Sequence, residues 1–378
     1  MSHAPTSALS RRHQAIRAAL RTRDLDALVV TSLPNILYLT NFTGSSAIVV
    51  MTMERIEFIT DFRYVTVLTE ARGTAAECPG LELVNVESTY DGALAARIAA
   101  QPGRVGFEAA HVTVSRHDWM VKTLAAAGRT HELTPTEGIV ERERVRKDAY
   151  ELETLREAAR RLSAVARNVF DGVRSGRSER EVALAIDWQI RQAGFERPAF
   201  DTIVASGPNA ALPHAHPGER ILTEGDLVVL DFGGVYDSYC VDLTRTISIG
   251  APSARAREVH AAVLAAHSGA IAAAGPSASR FAIDAAARDT LARLGFADAF
   301  GHGTGHGLGI EVHEDPRITR RRADVDTTDE AVWPGMVFTI EPGAYLPGWG
   351  GVRIEDDVLI TNNGVEVLTD VTTDLLEL

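Results

Sequence analysis

Residues 226–249, DLVVLDFGGVYDSYCVDLTRTISI, place two aspartates in long apolar runs with turn signals between them. Asp231 and Asp242 are eleven residues apart, and Asp237 and Ser238 mark the turn. Two adjacent antiparallel strands would bring both carboxylates into one pocket. Because a carboxylate in an apolar run is costly unless it is paired or bound to a metal ion, the pair predicts a metal site. For Asp231 alone, a carboxylate that caps a turn is the alternative.

Three more potential ligands follow in short segments of β character that contain glycine. They are His306 in residues 301–316 (GHGTGHGLGIEVHEDP), Glu341 in TIEPG and Glu355 in GVRIEDDV. Four carboxylates and one imidazole are too negative for a single ion. The set therefore suits two divalent cations, Mn²⁺, Co²⁺ or Zn²⁺, that share bridging carboxylates. Paired ions of that kind ionise a water for hydrolysis.

The glycine-rich loop carries two further histidines, His302 and His313. His302 and His306 have the i, i+4 spacing of a zinc-protease helix, but the glycines exclude a helix and the expected glutamate after the first histidine is missing. The glycines instead let the backbone pass close to a ligand. A single histidine here is as often structural as functional, whereas three in one loop beside acidic residues favour a site.

Two other segments add polar side chains to this set. Strict alternation in residues 351–358 places Arg353 and Glu355 on one face of a strand, as a metal ligand and the cation that orients it. A surface salt-bridge ladder is the alternative. In residues 213–217 (PHAHP), His214 lies in a rigid loop between prolines, where it either lines a pocket or is exposed. His216 is the weaker candidate of the two.

Composition excludes several classes of partner. The chain has 378 residues, of which 45% are hydrophobic and 24% charged, as in ordinary soluble globular proteins. Its net charge of −13 argues against nucleic acid and anionic membranes as partners, and it contains no apolar run long enough to span a bilayer. Cys78 and Cys240 make no disulfide framework, so we expect a reducing cytoplasm; Cys240 is interpreted as core packing.

Two domains are predicted, residues 1–140 and 145–378, and the charged run ERERVRK at 141–147 marks the boundary. The first domain is an α/β unit that begins with an amphipathic helix. Its predicted strands are residues 26–31, 35–40, 47–51, 56–60 and 105–107.

The second domain alternates twice between a pair of helices and a group of strands. A long helix begins near Tyr150, and a capping box of Ser178 and Glu181 begins the next. A later pair is expected at residues 254–274 and 280–294, each ended by a glycine. This order suggests an internal duplication with the site between its halves.

Together these segments resemble the pita-bread metallopeptidases, which include aminopeptidase P, prolidase and methionine aminopeptidase. The first domain is similar to the N-terminal domain of the proline-specific branch, at residues 35–40 (NILYLT) and 61–64 (DFRY). Methionine aminopeptidases lack that domain, and creatinases lack the metal ligands. The resemblance implies an α/β (α+β) protein with a C-terminal pita-bread domain, a smaller N-terminal creatinase-like domain and cleavage of Xaa-Pro bonds.

The resemblance also implies roles for the candidate residues. Two metal ions would be held by Asp231, Asp242, His306, Glu341 and Glu355, with Asp242 and Glu355 bridging. Mn²⁺ is the favoured ion, and Co²⁺ and Zn²⁺ are the alternatives. Glu341 would also carry the proton, and His313, helped by His214, would hydrogen-bond the oxygen of the substrate carbonyl. His302 would lie in the wall of the substrate pocket, and Arg353 would orient the carboxylates.

Three functions follow from the resemblance. An Xaa-Pro aminopeptidase, which releases the first residue of longer peptides, is the favoured prediction, and an Xaa-Pro dipeptidase (prolidase) is the alternative. Arg317 either holds the carboxylate of a dipeptide, which favours prolidase, or is one more surface arginine beside Arg320, Arg321 and Arg322. A catalytically silent peptide-binding scaffold is the remote third. The expected partners are short proline-containing peptides and a second copy of the chain in a homodimer.

Overall fold

The computed structural model describes residues 3–101, 103–126, 128, 132–321 and 330–378, and the chain separates into two units, Met1–Arg144 and Val145–Leu378. Each unit has an apolar core of its own. Among the helices that the structure describes, none combines the length and the apolar character that crossing a membrane requires.

The first unit is built on a six-stranded mixed sheet in the order β4-β3-β2-β1-β5-β6. The strands are β1 (Ala27–Val30), β2 (Ile48–Thr52), β3 (Ile56–Thr60), β4 (Leu81–Asn85), β5 (Val105–Glu108) and β6 (Leu133–Thr136). The helices are α1 (Thr6–Thr22), α2 (Leu33–Thr40), α3 (Phe62–Glu70), α4 (Tyr90–Ala100), α5 (Val114–Ala126) and α6 (Ile139–Val145). The strand pairs β1–β2 and β2–β3 are antiparallel, and the others are parallel.

The prediction of a strand at residues 35–40 is wrong, because this segment forms α2. Its short apolar run is compatible with either structure, and the ends decide. Pro34 stands in the first turn, where a missing N–H costs nothing, and Asn41 ends the helix in the left-handed conformation. From β5, the Glu108 carboxylate accepts hydrogen bonds from the backbone N–H groups of Thr31 and Ser32 at the helix start.

In the part of the second unit that the structure describes there are four long helices, α7 (Ala149–Phe170), α8 (Glu179–Gln192), α9 (Ala254–Ala273) and α10 (Arg280–Arg293). The predicted capping box of Ser178 and Glu181 is present at α8, and Asp148 and Glu151 form another at α7. Both boxes satisfy N–H groups that the first turn of a helix leaves unpaired. A 3₁₀ turn, Gly207–Ala211, follows the strand Ile203–Ser206.

The strands of this unit form two sheets and a hairpin. In the first sheet, β7 (Arg197–Pro198) and β8 (Ile203–Ser206) both pair with β9 (Leu227–Tyr236), whose other edge pairs with β10 (Tyr239–Ser248). The second sheet has the order β12-β11-β13-β16-β17, formed by β11 (Gly305–Gly307), β12 (Glu314–Ile318), β13 (Val337–Ile340), β16 (Asp356–Thr361) and β17 (Gly364–Val367). The hairpin joins β14 (Gly343–Leu346) and β15 (Gly350–Arg353).

The predicted order, in which a helix pair and a group of strands occur twice, is therefore observed. One core cluster joins α7 and α8 to β9 and β10, and a second joins α9 and α10 to the second sheet. An isolated bridge between Thr244 of β10 and Glu355 connects the two sheets. The two halves of the unit thus meet where the predicted ligands lie.

Candidate metal centre

The β9–β10 hairpin places the two aspartates on one face. Its turn is made by Asp237 and Ser238, both with positive φ (48° and 70°), which is the conformation of a two-residue hairpin turn. Asp231 is opposite Thr244, and Thr244 is two residues from Asp242. Because side chains alternate along a strand, all three of these residues point to the same side of the sheet.

Glu355 joins this face from the short segment between β15 and β16. Its backbone N–H donates to the carbonyl oxygen of Thr244 (3.1 Å), and the Thr244 hydroxyl donates to Glu355 Oε2 (2.5 Å). The Arg245 guanidinium donates to the Glu355 carbonyl oxygen at 2.6 Å and to the Asp356 carboxylate at 2.7 Å. The position of the carboxylate is therefore determined through both its main chain and its side chain.

His306 and Glu341 enter from the second sheet. A Cβ atom on Gly305 would lie 1.8 Å from the Thr339 carbonyl oxygen, so only glycine permits this approach of β11 to β13. His306 Nε2 lies 3.5 Å from Glu341 Oε1. His306 Nδ1 lies 3.0 Å from the Gly307 carbonyl oxygen, which can only accept, so Nδ1 carries the proton and Nε2 has a lone pair for a metal ion.

The donor atoms fit a divalent cation. Ligand atoms of Asp242, His306 and Glu355 all lie within 4.8 Å of one another. Buried Oδ1 atoms of Asp231 and Asp242 accept no hydrogen bond from the described residues, and such oxygens need a partner of some kind. Four carboxylates and one neutral imidazole are the ligands that hard or borderline divalent ions prefer.

Electrostatics support the same interpretation. Burial, together with the neighbouring carboxylates, raises the pKa of Asp242 and of Glu355 well above the usual range. Burial also raises the pKa of Glu341 to about 7 and lowers that of His306 to about 4. The imidazole is therefore neutral at neutral pH, while crowded acids hold protons that a cation would displace.

A hydrogen-bonded chain links Asp231, one of the predicted ligands, to the wall of the pocket. Arg353 donates to Asp231 Oδ2 and to the Tyr345 hydroxyl oxygen, the latter at 2.9 Å. That hydroxyl lies 2.8 Å from His302 Nε2, and His302 Nδ1 lies 2.8 Å from the Gly303 carbonyl oxygen. Because Nδ1 must donate to the carbonyl, Nε2 accepts from the tyrosine. Arg353 thus contacts a predicted ligand, and the salt-bridge-ladder alternative does not apply, since Arg353 is 3% exposed.

A cavity of about 520 Å³ lies beside the five predicted ligands. Its lining includes every predicted substrate residue, His214, His302, His313 and Arg317, and also His216, the weaker candidate. The His313 ring packs edge-on against that of His306, with centroids 4.4 Å apart. Arg317 is opposite His306 in the β11–β12 pairing, whereas Arg322 lies outside the described residues.

Three residues of the site went unnoticed in the sequence. Thr244 touches both Glu355 and Arg353, Tyr345 connects Arg353 to His302, and the Asp357 carboxylate accepts from the Asp242 backbone N–H at 3.0 Å. Alternation along 226–249 places Thr244 on the face of Asp242 and was the one available signal. Nothing local marks Tyr345, because its partners come from elsewhere in the chain.

Comparison with known proteins gives two family matches. The model of metallopeptidase family M24 matches residues 153–362, and that of the creatinase/prolidase N-terminal domain matches residues 12–146. The first match falls in the second unit of the structure, and the second match corresponds to the first unit.

Similar proteins include enzymes of both proline-specific types. An Xaa-Pro dipeptidase of Pyrococcus furiosus is 39% identical over 258 residues, which is 68% of this chain and 72% of that protein. The structure of an Xaa-Pro dipeptidase from Bacillus anthracis has a TM-score of 0.90 and 34% identity, and the match covers 98% of this chain and 100% of that one. The structure of an X-Pro aminopeptidase from Thermotoga maritima has a TM-score of 0.85 and 30% identity, covering 96% and 100%.

Proposed function

This chain belongs to metallopeptidase family M24, and we propose that it is an Xaa-Pro dipeptidase that uses two divalent metal ions, with Mn²⁺ favoured over Co²⁺ and Zn²⁺. The family, the pita-bread fold with its creatinase-like N-terminal domain, and the class of metallo-exopeptidase are confirmed. Between the two activities considered, the similar proteins support the dipeptidase alternative better than the aminopeptidase that the sequence favoured. The substrate and the number and identity of the ions belong to the proposal.

The observation that carries the dipeptidase assignment is the position of Arg317 in the cavity. It lies opposite the ligand His306 on the neighbouring strand, and Arg280 donates to its backbone carbonyl oxygen at 2.9 Å. The side chain of Arg317 lines the cavity, where its guanidinium matches the free carboxylate of a dipeptide in charge and geometry. A longer peptide presents an amide at that place, and so loses this ion pair.

The proposed metal ligands are Asp231, Asp242, His306, Glu341 and Glu355, which all line the cavity and would hold the two ions between them. When bound, such ions lower the pKa of a water and polarise the carbonyl group of the substrate. Asp231 is oriented by Arg353, and Glu355 by the hydroxyl of Thr244. These contacts keep the two carboxylates in place for a cation.

We assign the role of proton carrier in the reaction to Glu341. Its raised pKa of about 7 suits a group that must both take and release a proton near neutral pH. On the cavity side, His313 and His214 would donate to the oxygen of the scissile carbonyl, where negative charge develops. Both histidines are exposed to the cavity. Burial lowers the pKa of His313, and the positive charge of the neighbouring Arg317 lowers it further.

Selection of proline is a matter of pocket shape. An Xaa-Pro bond is a tertiary amide without an N–H donor, and its ring fixes φ. Apolar side chains line the cavity beside the histidines, among them Phe200, Ile203 and Val312. A ring placed against these side chains positions the bond without any hydrogen bond from its nitrogen.

The test is turnover by metal-stripped chain that is reloaded separately with Mn²⁺, Co²⁺ and Zn²⁺. The substrates are an Xaa-Pro dipeptide, an Xaa-Pro-Yaa tripeptide and an Xaa-Ala dipeptide. Metal-dependent cleavage of the first alone would support the proposal, whereas cleavage of the tripeptide at a comparable rate would restore the aminopeptidase assignment. If no metal supports cleavage of any peptide, the silent scaffold replaces both.

A further inference from the structure

The segment that brings His214 to the cavity is a loop whose two ends meet at a single carboxylate. Residues 207–217 run from the end of β8, through the 3₁₀ turn, to the stretch of chain that precedes β9. The carboxylate is that of Glu179, the first residue of α8, which is 1% exposed. No motif in the sequence singled out this residue.

Both oxygens of Glu179 face hydrogen-bond donors of this loop. Oε1 accepts from the Ser206 backbone N–H (2.8 Å), the Ser206 hydroxyl (2.7 Å) and the Asn209 amide (3.0 Å). Oε2 accepts from the same amide (3.2 Å) and from the backbone N–H of Gly218 (3.2 Å). One side chain therefore binds the residue before the loop, a residue within it and the residue after it.

The surroundings give this carboxylate a rigid base. The backbone N–H groups of Glu179 and Arg180 donate to the carbonyl oxygens of Arg220 and Gly218, both at 3.0 Å, so the helix start pairs with the chain that leaves the loop. On the far side, Arg220 donates to the Ser206 hydroxyl at 2.6 Å and to both oxygens of Asp226. The base of the loop thus lies between the side chains of Glu179 and Arg220, which share the Ser206 hydroxyl as a hydrogen-bond partner.

The second half of the loop, residues 213–216, lines the cavity. Ala215 packs into a small apolar cluster with Ala205, Ala210 and Val229, while His214 beside it is exposed. The Pro213 carbonyl oxygen accepts from Arg353 at 3.4 Å, which connects this part of the loop to the ligand Asp231. An exposed histidine on a loop has little packing of its own, so its direction depends on how the loop is held.

We propose that Glu179 is a positioning residue that fixes the His214 loop at its base, so that His214 points at the reacting carbonyl. This assignment rests on the proposed function for the role of His214, but the geometry of the loop does not. Every group that faces the Glu179 carboxylate from the loop is a donor, and the donors reach both of its oxygens. Glutamine would turn its NH₂ group toward donors, and aspartate would not reach both ends.

The experiment compares Glu179→Gln with Glu181→Gln in the full, manganese-loaded chain. Glu181 is the exposed partner in the capping box of the same helix and makes no hydrogen bond to the loop, so its variant controls for the loss of a negative charge in the first turn. We expect Glu179→Gln to lower kcat/KM for an Xaa-Pro dipeptide by about 10- to 100-fold, the effect of a small displacement of a reacting group. Glu181→Gln is expected to lower it by less than about twofold.

A double-mutant cycle separates positioning from a general loss of structure. In a His214→Ala background, Glu179→Gln should cost less than about threefold, because the residue it positions is already absent. An equal loss in both backgrounds would overturn the proposal.

Amide hydrogen exchange gives a reading that does not depend on activity. Exchange over residues 207–217 should become faster in Glu179→Gln while β9 and β10 keep their protection. Unchanged exchange in the loop would contradict the proposal. If the wild-type chain cleaves no dipeptide, the proposed function fails and this measurement alone decides on Glu179. If Glu179→Gln does not fold, Asn209→Ala removes the shared donor and is tested in the same way.

Discussion

At the scale of single residues, the site depends on a cluster of largely buried ionisable groups at the wall of the cavity. Asp242 and Glu355 are at most 5% exposed, and burial, together with neighbouring carboxylates, raises the pKa of each, while the imidazole of His306 stays neutral. Such groups are unfavourable in the folded chain by themselves and become favourable when a cation joins them. Replacing one of them should therefore separate activity from stability.

Glu355→Gln tests this separation. The variant keeps the shape of the side chain but removes a negative charge, so we expect activity to fall by about 10²- to 10³-fold or more. The melting temperature of the metal-free chain should stay the same or rise, because a crowded carboxylate has been removed. Glu366→Gln is the control. Glu366 lies on the outer strand β17 and pairs with the exposed Arg156. A Glu355→Gln chain with wild-type turnover would rule out the two-metal assignment.

Arg317→Ala tests the recognition of the substrate carboxylate. We expect KM for an Xaa-Pro dipeptide to rise by about tenfold or more, which corresponds to the loss of one charge-assisted pair, while kcat changes little. Steady-state kinetics on the dipeptide and on its C-terminal amide provide the measurement. The amide, which has no carboxylate, should be insensitive to the substitution. Arg320→Ala is the matched control, because this arginine does not line the cavity.

At the scale of elements, the site depends on the close approach, at a glycine, of two neighbouring strands of the second sheet. β11 carries His306 past β13 at a distance that admits no side chain on Gly305, whereas a Cβ atom on Gly301, four residues earlier, would meet no other atom within 4 Å. The loop of residues 309–314 that leads through His313 is in turn held by Lys147, whose ammonium lies 3.2 Å from the Glu314 carboxylate. The spacing between β11 and β13 therefore helps to determine where His306 lies in the site.

Gly305→Ala and Gly301→Ala form a matched pair for this point. The added methyl group at 305 meets backbone that cannot move aside, so we expect a loss of about 1–3 kcal/mol in the free energy of unfolding, together with most of the activity. The same change at 301 should alter the free energy of unfolding by no more than about 0.5 kcal/mol and leave the activity unchanged. Urea unfolding of the metal-free chains measures the stabilities. Equal stability of the two variants would show that β11 can shift away from β13.

At the scale of the whole molecule, metal binding and folding are linked through protons. The folded-state pKa of Glu341, about 7, lies above its ordinary value, so its contribution to stability is present at acid pH and is lost as the pH rises through 7. A bound cation reverses this dependence, because it competes with protons for the same oxygens.

The melting temperature with and without Mn²⁺ tests this linkage. The increase that the ion produces should be larger at about pH 8 than at about pH 5.5, since fewer protons must be displaced at the higher pH. Differential scanning calorimetry at constant ionic strength gives both values. An increase that is independent of pH would mean that the ion binds away from the carboxylates. The predicted homodimer stays a prediction, which analytical ultracentrifugation would check.

The sequence by itself determined the parts of this protein that depend on neighbours along the chain. Alternation and turn residues in 226–249 predicted the hairpin of Asp231 and Asp242, and the capping box predicted the start of α8. Glycine spacing excluded a helix around His306, and the motifs indicated the family. These features are local, because strand alternation, turn geometry and helix caps act over a few residues.

Only the tertiary structure decided what depends on residues far apart in the chain. The helix α2 begins where Glu108 accepts from the N–H groups of Thr31 and Ser32 just before it, and Glu179 joins the two ends of the His214 loop. Thr244 and Glu355, more than a hundred positions apart, meet in one hydrogen bond. A single sequence contains no signal for such pairs, because their energies arise only after packing has brought the partners together and excluded water.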